Sequence, residues 1–229
     1  MVKILNNIVS AFFPATCLGC ASKLIQHEQH ICTHCRHNLP FTSYHKHPEN
    51  PVLQSFYGRV LLENATALVH YKKNGIVQHL LHQLKYKGQQ EVGVILGNIL
   101  GNDLKNEPSY QTITHVIPVP LHKKRLKERG YNQVATFGKQ LALQLNATYA
   151  DTILIKINNT KTQAFKNRAE RWTTIQDSFE IKNAELLTDA HILLVDDVIT
   201  TGATLEACAN ALKKIPNIKI SIATMSIAS

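Results

Sequence analysis

The 229-residue chain carries 25 lysines and arginines against 16 acidic residues, a net charge of +9 with its 12 histidines neutral. At 44% hydrophobic and 18% charged it has the apolar material to close a core, which excludes a wholly disordered chain. No run approaches the roughly 20 apolar residues of a membrane-spanning helix, and the basic surplus favours polyanionic partners, nucleic acids or phosphorylated metabolites, without choosing between them.

Val2, Leu5, Ile8, Val9, Phe12 and Phe13 recur at near-helical spacing, which predicts a short amphipathic helix stopped by Pro14 and packed on its own protein rather than on a membrane surface. No small-residue cleavage site follows, which argues against a signal peptide, and the five cysteines, four closely paired and Cys208 isolated, fit no secreted disulfide scaffold, so a cytoplasmic setting is expected. Next come two CxxC pairs, Cys17 with Cys20 and Cys32 with Cys35, eleven residues apart. A two-residue gap lets both thiolates of a tight turn reach one ion, and two such turns close a tetrahedral four-sulfur shell. A closed shell leaves no open position to activate water, so the expected ion is a structural zinc. Histidines 27, 30, 34, 37, 45 and 47 crowd the same stretch, and one of them could replace a cysteine ligand. Residues 40–51, rich in Pro, His and Asn, read as a linker. The expected division is therefore 1–50 for helix, knuckle and linker, and 51–229 for the main domain.

From about residue 55 strand-like and helix-like segments alternate, the pattern of an α/β domain with a mainly parallel sheet flanked by helices. Strands are predicted over 66–71, 113–119, 152–157, 191–197 and at Asn217–Met225, with helices near 76–84, 92–100, 132–145 and 205–212. Ile153, Ile155 and Ile157 are expected on one face of their strand. Right-handed crossovers would bring the strands' carboxyl ends to one rim, where open α/β sheets bind ligands.

The most informative passage is Ile192 to Thr204, ILLVDDVITTGAT. An apolar strand delivers Asp196 and Asp197 to the rim, and a turn with three hydroxyls and one glycine then starts a helix. Free N–H groups at that helix start, with the hydroxyls of Thr200, Thr201 and Thr204, suit a phosphate monoester. Two carboxylates beside a phosphate would instead face sugar hydroxyls or a hydrated Mg²⁺. The passage describes a ribose 5-phosphate pocket.

This passage resembles the phosphoribosyl-diphosphate signature of type I phosphoribosyltransferases. With the cysteine knuckle ahead of it, and with Leu84-Lys85-Tyr86-Lys87-Gly88, Pro118-Val119-Pro120-Leu121, Arg129-Gly130-Tyr131-Asn132-Gln133 and Thr162-Gln163 with Arg168, the chain resembles the ComF/ComFC competence family over nearly its whole length. The resemblance implies binding of phosphoribosyl diphosphate with Mg²⁺, with Val198, Ile199, Thr200, Thr201, Gly202, Ala203 and Thr204 at the sugar phosphate. It implies Asp196 and Asp197 as the catalytic pair, and a loop with a basic tail reaching Arg125 that puts Val119, Pro120, Leu121, His122 and Lys123 at the pyrophosphate. It also implies a mobile flap over 158–176 bearing Lys161, Lys166, Arg168 and Arg171, and a part in DNA uptake beside single-stranded DNA and the competence machinery. No added hood for a base is visible, so the acceptor is open. The alternative to an enzyme is a binding module that uses the pocket for phosphoribose or single-stranded DNA.

Overall fold

The computed structural model describes residues 14–157 and 178–228; the amphipathic helix expected over 2–13 and the flap expected over 158–176 lie outside them. A short helix α1 (Thr33–His37) is capped by Cys32 and contains Cys35, and α2 (Pro51–Gln54) precedes strand β1 (Asn64–Tyr71). Then come α3 (Ile76–Tyr86), α4 (Glu91–Leu104), β2 (His115–Pro118), α5 (Lys123–Arg129) and α6 (Ala135–Gln144). Strands β3 (Thr148–Tyr149), β4 (Leu154–Lys156), β5 (Phe179–Ile181) and β6 (His191–Ile199), helix α7 (Ala203–Leu212) and strand β7 (Lys219–Ala228) complete the order.

Five strands form one sheet in the order β1-β7-β6-β2-β3, and every neighbouring pair is parallel. Strand β6 is at its centre, buried on both faces, which is why Ile192 to Val195 read as a continuous apolar run. Alternation along it still sorts the two cores. Leu193 and Val195 join Leu80, Leu100, Phe137 and Leu141 on one face, whereas Ile192 and Leu194 join Cys208, Leu212 and Ile222 on the other. Isolated Cys208 is thus a small core residue.

Three expectations are corrected. The 152–157 segment contributes only β4, which pairs antiparallel with β5 outside the main sheet. Leu154 goes inward beside Ile153 and Ile157 is exposed, so packing under α7 overrides the isoleucine alternation. The basic stretch after Pro120 is helical rather than loop. His122 caps α5 by accepting from the Lys124 amide at 3.2 Å, and Gly130, at φ +79°, closes it.

The knuckle is not a separate bead. Cys17, Ile31, Cys32, Cys35 and Leu39 share one core with Leu80, Leu81 and Leu84 of α3. The 40–51 stretch, expected as a linker, runs along β1: Thr42 N–H donates to Leu68 C=O at 3.0 Å and His70 N–H to Pro40 C=O at 2.8 Å.

Helices α4 and α6 approach through glycines. A Cβ on Gly97 would sit 2.8 Å from the Phe137 carbonyl oxygen and 2.8 Å from Gln140 Cβ. Gly97→Ala should therefore destabilise by about 1–3 kcal/mol through overpacking, although alanine is the better helix former by about 1 kcal/mol. Urea denaturation reads the sign directly; a gain in stability would mean that the two helices slide apart at little cost.

Candidate functional site

Register builds the site. Pro118 lies beside Val195 in the β2–β6 ladder and Val119 N–H donates to Val195 C=O at 2.9 Å, so Val119 to His122 leave the sheet next to Asp196 and Asp197. Asn132 holds that loop from behind, its side-chain amide donating to Val119 C=O at 3.0 Å while its Oδ1 accepts from the Val134 amide. Between loop and strand end opens a cavity of about 560 Å³.

Of the residues expected at the site, Val119, Pro120, Leu121, His122, Asp196, Asp197, Val198 and Thr204 line this cavity. Ile199 turns its side chain into the core, and Lys123 lies exposed at the start of α5. Thr200 and Thr201 are exposed on the turn, where Thr201 Oγ1 accepts from the Ala203 amide at 3.4 Å. Gly202 is buried with φ +72°, and an ideal Cβ there would meet the Phe56 ring at 3.0 Å. The left-handed backbone and the packed ring both require glycine. Arg59 braces the turn from the same side, donating from Nη1 to Thr201 C=O at 2.9 Å and pairing with Glu206 of α7.

Arg125, in the basic tail expected at the pyrophosphate, also lines the cavity, as do Lys85, Arg129, Gln133 and Lys156, to which sequence reasoning gave no site role. The signal was present in the Leu84–Gly88 and Arg129–Gln133 stretches; what lacked was the topology that folds the end of α3 against the end of β6. Lys85 Nζ is 2.9 Å from Asp197 Oδ2, and Gln133 Nε2 donates to the same oxygen at 2.9 Å. Asp197 N–H donates to Asp196 Oδ1 at 2.8 Å. Burial, and then the charge of Asp197, push the Asp196 carboxyl up to about 7. Confining two like charges in low dielectric is costly, and a bound cation relieves it. The pair therefore fits a hydrated Mg²⁺. Lys85, Arg125, Arg129 and Lys156 surround these two carboxylates, an excess of positive charge that favours a ligand with several anionic groups.

In the knuckle, the four cysteine sulfurs lie within 4.8 Å of one another, and no histidine joins them among the described residues. The amides of Gly19 and Cys32 donate to Cys17 Sγ at 3.3 Å, and that of Cys35 to Cys32 Sγ at 3.4 Å. Such N–H···S contacts stabilise thiolates, so the cluster fits a soft or borderline metal ion in a closed shell.

A family model described as the phosphoribosyl transferase domain matches residues 134–226. Competence protein F of Haemophilus influenzae is 25% identical, covering 89% of this chain and 93% of that protein. Competence protein ComFC of Bacillus subtilis is 29% identical over 86% of this chain and 77% of that protein. The DNA utilization protein YhgH of Escherichia coli K12 is 26% identical over 58% of this chain and 59% of that one. Among solved structures, adenine phosphoribosyltransferase from Leishmania tarentolae aligns at 11% identity with a TM-score of 0.38, covering 62% of this chain and 73% of that one.

Proposed function

For this chain, which belongs to the ComF/ComFC competence family and carries a phosphoribosyltransferase domain, we propose that the cavity at the end of β6 binds phosphoribosyl diphosphate with Mg²⁺ and transfers its phosphoribosyl group during DNA uptake. The observation that carries this is the meeting, in one cavity, of the acidic pair, Thr204 and the Val119–His122 loop within a ring of cations. Thr204 and the amides at the start of α7 would take the sugar phosphate. Asp196 and Asp197 would face ribose hydroxyls and Mg²⁺. The Val119–His122 loop, with Arg125 and Arg129, would take the diphosphate. Bound magnesium would neutralise leaving-group charge. In the reaction a nitrogen lone pair forms the bond to the anomeric carbon, the bond to the diphosphate oxygen breaks with its electron pair, and the nitrogen's proton is released to solvent. The protein's part is positioning and charge stabilisation. Calorimetric titration with phosphoribosyl diphosphate and Mg²⁺, followed by assay of pyrophosphate release over candidate acceptors, tests the reading; no Mg²⁺-dependent binding would overturn it.

A pH dependence follows. Below about 7 the Asp196 carboxyl is largely protonated in the free protein, and cation-dependent binding must expel that proton. Affinity should fall close to tenfold per pH unit below that point and level off above it. Phosphoribosyl diphosphate titrates too, near pH 6, so the comparison is with Asp196→Asn, in which the component near 7 should vanish. A profile identical in both proteins would assign the titration to the ligand alone.

The second reading, a non-catalytic module for phosphoribose or single-stranded DNA, is favoured by α5. Its sequence KKRLKER is exposed along six of its seven residues. DNA held there should weaken steeply with salt as counterions are released. Binding of phosphoribosyl diphosphate without pyrophosphate release would favour the module. We infer zinc in the four-cysteine cluster, in a structural role.

A further inference from the structure

A second cavity of about 430 Å³ opens beside the first and shares Lys85, Arg125 and Arg129 with it. Its other walls include Tyr86, Glu128 and Tyr131. Tyr86, the last residue of α3, is 64% exposed. The Arg129 guanidinium carbon lies 5.3 Å from its ring centroid, and the His82 ring, one turn earlier, lies 5.0 Å away. His82 is tilted 45° to that ring and lies outside the cavity lining, so Tyr86 and the Arg129 guanidinium make the wall, an exposed ring and a planar cation of the kind on which bases stack. Lys85 and Arg125 supply phosphate partners, and the Glu128 carboxylate is an acceptor for an exocyclic amine. A bare phosphate would leave the rings unused, and an apolar ligand would have to desolvate three cations.

We propose that this cavity is a nucleotide subsite, with a nucleobase stacked on the Tyr86–Arg129 pair and its phosphate held by Lys85 and Arg125. For its role, seating the acceptor, the inference rests on the proposed function; for its ligand it rests on the geometry. The two cavities are joined by a chain of contacts: Arg129 Nη1 donates to Gln133 Oε1 at 2.7 Å, Gln133 donates to Asp197, and Asp197 pairs with Lys85. A ligand that moves Arg129 therefore bears on the carboxylate of the first cavity.

The test is calorimetric titration of the full chain with deoxyadenosine monophosphate and with deoxyribose 5-phosphate, which lacks the base. The nucleotide should bind about tenfold more tightly or better. Tyr86→Ala should remove most of that advantage and Tyr86→Phe should keep it. Equal affinity for the two probes, or an advantage untouched in Tyr86→Ala, overturns the subsite. An oligodeoxyadenylate of about ten residues distinguishes the source. Tighter binding with the same Tyr86 dependence identifies the end of a strand, and equal binding identifies a free nucleotide; both uphold the subsite. Phosphoribosyl diphosphate with Mg²⁺, titrated into the same wild-type preparation, reports the first cavity separately. Tyr86-dependent nucleotide binding without it would sink the proposed function and leave the subsite standing, and the converse would sink the subsite alone.

Discussion

Cys35→Ser should strip the metal from the knuckle and lower the melting temperature of the whole described domain by about 8 °C or more. Cys35 is fully buried, so serine puts a neutral hydroxyl, a poor zinc ligand, in place of a thiolate at a position closed to water. Loss of a structural metal is among the few single changes that exceed about 4 kcal/mol, and a domain of this size loses roughly 2–4 °C per kcal/mol. The effect should not stay local, because Cys17, Cys32 and Cys35 are packed in one core with Leu80 and Leu84, whose helix ends at Lys85 and Tyr86. Elemental analysis and scanning calorimetry of both proteins check this. Wild type without metal, or a variant that melts at the wild-type temperature, would refute it.

The Asp196→Asn, Asp197→Asn double variant should lose its Mg²⁺-supported affinity for phosphoribosyl diphosphate by about a hundredfold or more. Each carboxylate can accept charge-assisted hydrogen bonds worth about 1.5–3 kcal/mol, and two lost together correspond to about two to four powers of ten. The sign without Mg²⁺ is opposite. Removing two negative charges from a cavity ringed by Lys85, Arg125, Arg129 and Lys156 should raise affinity for an anion in the metal-free titration. The ratio of affinities with and without Mg²⁺ is therefore the quantity to measure, and an unchanged ratio would remove the carboxylates from the site. The fold should persist, because both residues lie at the open end of β6 and asparagine can still accept from Gln133; circular dichroism verifies it.

Much of this was legible in the sequence, for physical reasons. Strand β6 and the turn after it declare themselves because a buried central strand must be apolar and a left-handed, closely packed turn must hold glycine. The four cysteines declare themselves by spacing alone. What stayed hidden was set at long range. Arg59 supports a turn some 140 residues further along the chain, and Lys85 reaches Asp197 only because α3 packs where the knuckle ends. Strand β4 was misassigned for the same reason: Ile153, Ile155 and Ile157 alternate, but the partner strand and the packing beneath α7 choose Leu154 for the interior.

The strand order carries a consequence for synthesis. Strand β7 is inserted between β1 and β6, so Asn64 finds its neighbour only at Ser221. On the ribosome β1 emerges early and must wait, its edge unpaired, until almost the last residue of the sheet has been made. Between those moments the nascent polypeptide displays an open strand edge of the kind that recruits chaperones or self-associates. A transcript cut short within the final strand would leave that exposure permanent.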